Sequence, residues 1–267
     1  MNHRTARTPG AAPAQEPAHA HGPAHTPGPA HSVGFARTLA SELVKLATLP
    51  AALATALGTA AVSAGLAALT AGADHAPADA APTVLLLVVF LQVGTVLLGV
   101  LTTAGEYTGG QIRTTLTATP KRGRLLAAKT AACFLASALT GAVAVAAGLA
   151  GAWAVTDGAL VGNVSPWRPA GAAAYLALLG LLAHLVTVVA RSLLPPLVSV
   201  LGLVLIVSPL LGGLTEHARW LPDRAGQLLY LPGADTVFTP WTGLLVLCGW
   251  LLVTGAAAAL VFVRRDA

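Results

Sequence analysis

Six apolar stretches, each long enough to cross a lipid bilayer, constrain this chain more than any other feature. A transmembrane helix needs about 20 apolar residues to cross ~30 Å of hydrocarbon. Only 9% of the 267 residues are charged, and the mean hydropathy is +0.75; an ordinary soluble domain is about 25% charged. We therefore predict an all-α integral membrane protein with spans at Leu49–Ala71, Thr83–Ala104, Leu125–Val155, Ala170–Ala190, Leu194–Leu214 and Thr242–Val263.

The first 48 residues precede the first predicted span and divide into two parts. Residues 1–34 are rich in Ala, Pro, Gly and His and lack apolar periodicity, which predicts a disordered cytoplasmic tail. Its histidines could chelate a metal, but a solvated tail is the favoured interpretation (His19, His21, His25 and His31). Residues 35–48 have apolar side chains at helical spacing, which predicts an amphipathic helix at the membrane interface.

Basic residues predict the orientation of the spans. With both termini in the cytoplasm, twelve of the 15 basic residues are inside, and only Arg168, Arg219 and Arg224 are outside. Four tryptophans lie at outer span ends or in outer segments, as in an aromatic belt (Trp153, Trp167, Trp220 and Trp241). The basic residues are too sparse for a nucleic-acid-binding face, so no nucleic-acid partner is expected.

The spans contain few groups that could drive transport or catalysis. Apart from Lys129 near an inner end, their cores hold no Asp, Glu, Lys or Arg, and His184 is the one further ionisable residue of that kind. We expect His184 to hydrogen-bond across a helix interface rather than to relay protons. Cys133 and Cys248 are predicted to be buried thiols without a metal or a disulfide. The chain has no P-loop, H-E-x-x-H or G-x-S-x-G motif, so we expect no enzyme activity from it.

Two connecting segments are unusual. Residues 105–124 form a long cytoplasmic loop with charges of both signs, and the positive-inside rule explains its basic residues but leaves Glu106 unexplained. Residues 215–241 mix apolar and polar side chains at no single period. Short interfacial or re-entrant helices would explain this outer segment, and a plain extracellular loop is the alternative.

The first of these segments opens the sequence GEYTGGQIRTTLTATPKRGRLLAAK, from Gly105 to Lys129. It resembles the cytoplasmic loop of ABC-2 type permeases, which are the membrane subunits of ABC exporters, and in particular the version found in actinobacteria. SELVKL before the first span, VARSLLPPLVSVLGLVLIVSPLL in the fourth-to-fifth span region and the closing VRRDA are also similar to that family. The resemblance covers about residues 35–267.

This resemblance implies the ABC-2 type exporter transmembrane fold in a multi-pass protein of the bacterial plasma membrane. It implies export of a lipophilic or amphipathic substrate by a homodimer or heterodimer of permease chains, with ATP and Mg bound by a separate ABC ATPase subunit. The loop would carry the coupling helix that docks on the ATPase, with the N-terminal helix beside it. The residues expected to take part in coupling are Glu106, Tyr107, Gly110, Ile112, Arg113, Pro120, Arg122, Glu42 and Lys45.

Two other functional classes stay open. One is a secondary transporter that needs no ATPase, although the lack of ionisable groups in the spans counts against it. The other is a non-transporting membrane scaffold, such as an assembly or immunity protein. Association with a P-loop ATPase distinguishes both classes from an ABC permease.

Overall fold

The computed structural model describes residues 34–73, 81–108, 122–157, 165, 167–231 and 233–265. Within these ranges the protein is helical and contains no β-strand. Six helical stretches are long and apolar enough to cross a membrane, which confirms the predicted class and number of spans. They are Pro50–Ala71, Leu87–Gly105, Gly123–Thr156, Trp167–Ala190, Leu194–Leu214 and Pro240–Phe262.

The helices are numbered here in chain order. A short helix precedes the first span, and the fifth span is built from three consecutive helical pieces, the middle one a π-helical turn. The elements are α1 (Phe35–Thr48), α2 (Pro50–Ala71), α3 (Ala81–Thr108), α4 (Arg122–Thr156), α5 (Trp167–Ala190), α6 (Leu194–Gly202), the π-helix Leu203–Val207, α7 (Ser208–Leu214), the 3₁₀-helix Glu216–Trp220, α8 (Pro222–Gln227) and α9 (Pro240–Arg265).

Helices α3 and α5 lie at the centre of the bundle. Two thirds of the most apolar part of each is buried, against 11% for α9 and 17% for the fifth span. Helix α5 contacts α3 and α4 over most of its length and also α9, so few of its side chains reach the surface. The largest core cluster joins these helices through residues such as Val96, Val100, Leu176 and Leu179. The peripheral helices instead expose leucine and valine, as expected for surfaces that contact lipid.

Small residues let the central helices approach closely. A side chain at Gly99 on α3 would collide with the carbonyl oxygen of Gly180 on α5, and one at Gly151 on α4 would collide with that of Ala64 on α2. In a membrane, where lipid tails are as apolar as leucine, helices associate through such close packing and through hydrogen bonds between helices. These contacts therefore hold together helices whose apolar surfaces have little else to distinguish them.

The turn between α5 and α6 is tight. Arg191 ends α5 in the left-handed conformation, with φ 55°, and its backbone N–H donates to Thr187 O at 2.8 Å. Pro195 and Pro196 occupy the first turn of α6, where a missing N–H costs little. The Arg191 guanidinium also donates to Val261 O at 3.0 Å, which joins the end of α5 to α9.

Residues 215–239 form a segment that packs over one end of the bundle, called the far end below. The 3₁₀-helix and α8 make up its first half. The Tyr175 and Tyr230 rings lie 5.6 Å apart, and the Trp250 indole donates to Trp220 O at 2.9 Å. A side chain at Gly171 would collide with the carbonyl oxygen of Leu229, so the segment lies directly on the start of α5.

Candidate functional site

The predicted coupling residues of the 105–124 loop divide into two groups. Glu106 and Tyr107 lie in the last turn of α3, and Arg122 is the first residue of α4, but the structure describes only their backbone. The others lie outside the described residues (Gly110, Ile112, Arg113 and Pro120). The structure therefore defines the backbone of the two helices that flank the loop. A movement of the loop would pass to the residues that pack against these helices.

The predicted coupling residues before the first span, Glu42 and Lys45, lie on α1 in a buried ion-pair cluster. Glu42 Oε1 accepts from Lys45 Nζ at 2.7 Å, and Glu42 Oε2 accepts from Lys129 Nζ of α4 at 2.7 Å. Glu42 is 5% exposed and Lys129 is 3% exposed, whereas the Lys45 side chain is 47% exposed. Both Glu42 oxygens are thus occupied within the chain, and Lys45 is the member of the cluster that reaches the surface.

The lysines of this cluster determine the charge state of Glu42. Burial alone would raise the pKa of its carboxyl group, but the charges and hydrogen bonds of Lys129 and Lys45 outweigh burial and hold the pKa below its usual value of 4.5. Glu42 is therefore ionised at neutral pH. Removing one partner of a buried pair leaves an uncompensated charge, which costs far more than the net contribution of the pair.

The ion pair joins α1 to the start of α4. Leu49 has an extended backbone that separates α1 from α2, and Pro50 begins α2. With α2 leaving the junction, α1 packs against α4, and Lys129 lies about two turns after Arg122, the first residue of α4. The part of the bundle around Glu42 and Lys129 is called the α1 end below. The sequence analysis did not predict this pairing. Two signals for it were present, since Lys129 is the lone lysine inside a span and Glu42 is the lone acid on α1.

A second polar cluster ties α3 to α5 close to the α1 end. His184 Nδ1 lies 3.0 Å from Thr102 Oγ1 and 2.9 Å from Thr103 Oγ1. The ring is fully buried, and its Nε2 has no hydrogen-bond partner among the described residues. The expectation of a hydrogen bond across a helix interface is confirmed. Because Thr103 precedes Glu106 by three residues, the end of α3 that leads into the loop is anchored to the central helix.

The far end contains charges of another kind. Arg219 pairs with Glu216 at 3.1 Å and with Asp235 at 3.8 Å, beside a polar cavity of about 160 Å³. Arg224 also lines this cavity, so two guanidinium groups balance the two carboxylates, and the cavity has no evident preference for an ion of either sign. Asp223 is different, because it is 8% exposed and its Oδ1 lacks a described hydrogen-bond partner. Burial raises the pKa of its carboxyl group.

Both cysteines are free thiols in the structure. Cys133 is buried, as predicted, but the predicted burial of Cys248 is wrong, because this residue lies on α9 and is partly exposed. In the described part of the chain no cluster of three His, Cys, Asp or Glu residues could hold a metal. The histidines predicted as a possible metal site in the tail lie outside the described residues.

Comparison with known proteins adds no assignment to this geometry. No protein-family model matches the chain, and no curated protein matches its sequence. The features that bear on function are therefore the loop sequence after α3, the buried cluster that joins α1 to α4, and the His184 cluster that joins α3 to α5.

Proposed function

We propose that this chain is the permease subunit of an ABC-2 type exporter in a bacterial plasma membrane. Two permease chains would work with a separate ATPase that binds ATP and Mg. The sequence GEYTGGQIRTTLTATP between α3 and α4 carries this proposal, because it resembles the coupling loop of such permeases. The twelve-to-three distribution of basic residues supports a cytoplasmic location for the loop, α1 and both termini, where an ATPase could reach them.

The buried clusters support this proposal because they connect both flanks of the loop to the rest of the bundle. The α4 flank is bound to α1 through Lys129 and Glu42, and the α3 flank is bound to α5 through Thr103 and His184. A movement of the loop would therefore be transmitted to α1 and to the central helix together.

In the proposed mechanism, nucleotide binding to the ATPase changes the relative stability of two arrangements of the permease. Closure of the ATPase dimer would push on the 105–124 loop and tilt α3 and α4. The two permease chains would then part along their interface and open a path for a lipophilic or amphipathic substrate. Such a ligand-driven change requires the ATPase to bind the two arrangements with different affinity.

Site-specific photo-crosslinking in the native host tests the proposal. A photoreactive amino acid at Arg113 should crosslink to a protein that contains a P-loop, whereas the same group at Gly233, in the segment over the far end, should not. Recovery of no P-loop ATPase from position 113 would contradict the proposal and favour a secondary transporter or a scaffold. Equal crosslinking from both positions would also contradict it.

Variants of the loop test the roles of individual residues. Glu106→Ala and Arg113→Ala should each weaken retention of the ATPase and lower its permease-dependent ATP hydrolysis by about tenfold, as expected for loss of a charged contact. Thr130→Ala, in α4 below the loop, is a control that should leave retention unchanged. If both loop variants retain the ATPase as well as the unmodified chain does, the coupling roles assigned to these two residues are wrong.

A further inference from the structure

An apolar groove runs along the surface of the bundle between α4, α5 and α9. Its volume is about 720 Å³, within the range of ~300–1,000 Å³ that is usual for ligand sites. Small residues line its sides (Gly123, Ala127 and Ala131 on α4, Gly255 and Ala259 on α9), and the bulkier Phe134 and Leu252 flank it. Leu126 and Leu185 are buried at its base. Every lining residue belongs to a membrane span, and most of the lining side chains are apolar. The groove therefore suits an apolar occupant such as an acyl chain.

The length of the groove matches one leaflet of a bilayer. From Gly123 to Phe134, α4 rises about 16 Å at ~1.5 Å per residue, and α9 rises by a similar distance from Cys248 to Ala259. Half of a ~30 Å hydrocarbon layer is about 15 Å. The groove is therefore long enough for one acyl chain of a lipid and does not need the second leaflet.

Positive charge is concentrated where the groove reaches the α1 end. Arg124 follows Gly123 in the first turn of α4. Arg191 ends α5 and donates to Val261 O, two residues beyond Ala259 on α9. Basic side chains at the border of the hydrocarbon attract anionic headgroups, and arginine binds a phosphate with particular strength because its donors form a planar fork.

We propose that this groove binds one acyl chain of an anionic phospholipid from the leaflet at the α1 end, with the phosphate beside Arg124 and Arg191. A second copy of this chain is the alternative occupant, and the two arginines at the end of the groove favour an anionic lipid over an apolar helix. No ATPase takes part in lipid binding at this site, although Gly123 and Arg124 are also the last residues of the 105–124 loop.

Lipid retention by the full-length protein tests this site. Protein purified in detergent is mixed with phosphatidylglycerol or with phosphatidylcholine of identical acyl chains, and the bound lipid is measured by native mass spectrometry. We expect phosphatidylglycerol to be retained over phosphatidylcholine by about tenfold, because two basic residues lie at the headgroup position. Equal retention of the two lipids would overturn the proposed headgroup site.

Filling the groove tests the acyl-chain site. A Cβ at Gly255 would lie 3.7 Å from Leu185 Cδ1, an ordinary contact, so Gly255→Leu should fold and occupy the groove. Gly249→Leu is the matched control on the same helix, where a Cβ meets no atom within 4 Å. We expect Gly255→Leu to lower phosphatidylglycerol retention about tenfold and Gly249→Leu to leave it unchanged. Equal retention by the two variants would show that the chain binds elsewhere and would overturn the proposal.

The arginine and the alternative occupant are tested with the same samples. Arg124→Gln should reduce the preference for phosphatidylglycerol about threefold while leaving phosphatidylcholine retention unchanged, because it removes one charge of the pair. No change in preference would overturn the role of Arg124. The oligomeric state of each variant is recorded in the same spectra. One further outcome is that the unmodified protein is a dimer without bound lipid and that Gly255→Leu dissociates this dimer. The groove would then be an interface between two copies, and the lipid proposal would be wrong.

Discussion

The two ends of the bundle contain charged residues in opposite settings. At the α1 end, Glu42 is buried but ionised, because Lys129 lies 2.7 Å from it on another helix. At the far end, Asp223 is also buried, but its pKa is raised because burial is not outweighed by an adjacent cation. The far end is held instead by aromatic rings and by backbone packing at Gly171. The difference is that the lysine facing Glu42 outweighs the effect of burial on its pKa, whereas burial dominates at Asp223.

The largest effect should come from breaking the ion pair at the α1 end. Glu42→Gln removes the carboxylate charge that lies 2.7 Å from the buried Lys129 ammonium group, and breaking such a buried pair costs about 3–5 kcal/mol of stability. Thermal and denaturant unfolding in detergent micelles would measure it. Glu216→Gln removes an 88% exposed carboxylate from the far end and should have little effect.

The double variant Glu42→Leu, Lys129→Met determines whether the charge or the contact matters. Replacing a buried pair by apolar side chains is often neutral, so most of the stability lost in Glu42→Gln should return. Hydrogen exchange of the peptide Phe35–Thr48 would show whether α1 is again held against α4. A double variant as unstable as Glu42→Gln would contradict the explanation by an unpaired buried charge.

At the far end, the corresponding variant is steric. Gly171→Ala places a methyl group against the carbonyl oxygen of Leu229, and such overpacking costs about 1–3 kcal/mol. The change should also appear in tryptophan fluorescence, because Trp220 and Trp250 join the segment to α9. Gly65→Ala, on α2 with no atom within 4 Å of the added Cβ, should be neutral or slightly stabilising. Equal effects of the two variants would contradict direct packing at Gly171.

A smaller effect is expected from the hydrogen bonds of His184. Thr103→Val removes one of the two hydroxyl groups near Nδ1, while Thr102 remains as an alternative partner. Hydrogen bonds between membrane helices contribute about 0.6 kcal/mol on average, so the loss of stability should be of that size. Thr55→Val is the control, because the Thr55 hydroxyl is exposed and donates to Ala51 O within its own helix α2. A loss as large as that of Glu42→Gln would mean that His184 contributes more than one replaceable hydrogen bond.

The sequence predicted the elements of this fold better than their partners. The predicted starts of the first and fourth spans are close to the observed ones, Leu49 against Pro50 and Ala170 against Trp167. This agreement is expected, because continuous apolar runs define helices in lipid without reference to neighbouring helices. The pairing of Glu42 with Lys129, 87 residues apart, could not be predicted in this way. It depends on how α1 and α4 are rotated about their axes, and uniform Ala, Leu and Val surfaces carry little information about rotation.

The candidate site was predictable to a different extent. The expectation that His184 forms a hydrogen bond across a helix interface needed only a lone histidine in a span without an acidic partner, and it is confirmed. The burial of Asp223 was not foreseen, because residues 215–241 show no single period from which an inner face could be read. Positions such as Gly110 and Arg113 were chosen by resemblance to a family and stay predictions, since they lie outside the described residues.

The last and smallest effect is a pH dependence that should differ in sign between the two ends. The folded-state pKa of Glu42 is lowered below 4.5, so its contribution is complete above pH 4.5 and is lost as the pH falls through the folded pKa. The pKa of Asp223 is raised above 3.8, so folding is favoured by its protonated form and the far end loses stability as the pH rises from 3.8 to the folded pKa. Acidification should therefore increase hydrogen exchange in α1 while decreasing it in Pro222–Gln227. Glu42→Gln and Asp223→Asn should each abolish the pH dependence at their own end alone. A change of the same sign at both ends would contradict the contrast between Glu42, whose pKa the lysines lower, and Asp223, whose pKa burial raises.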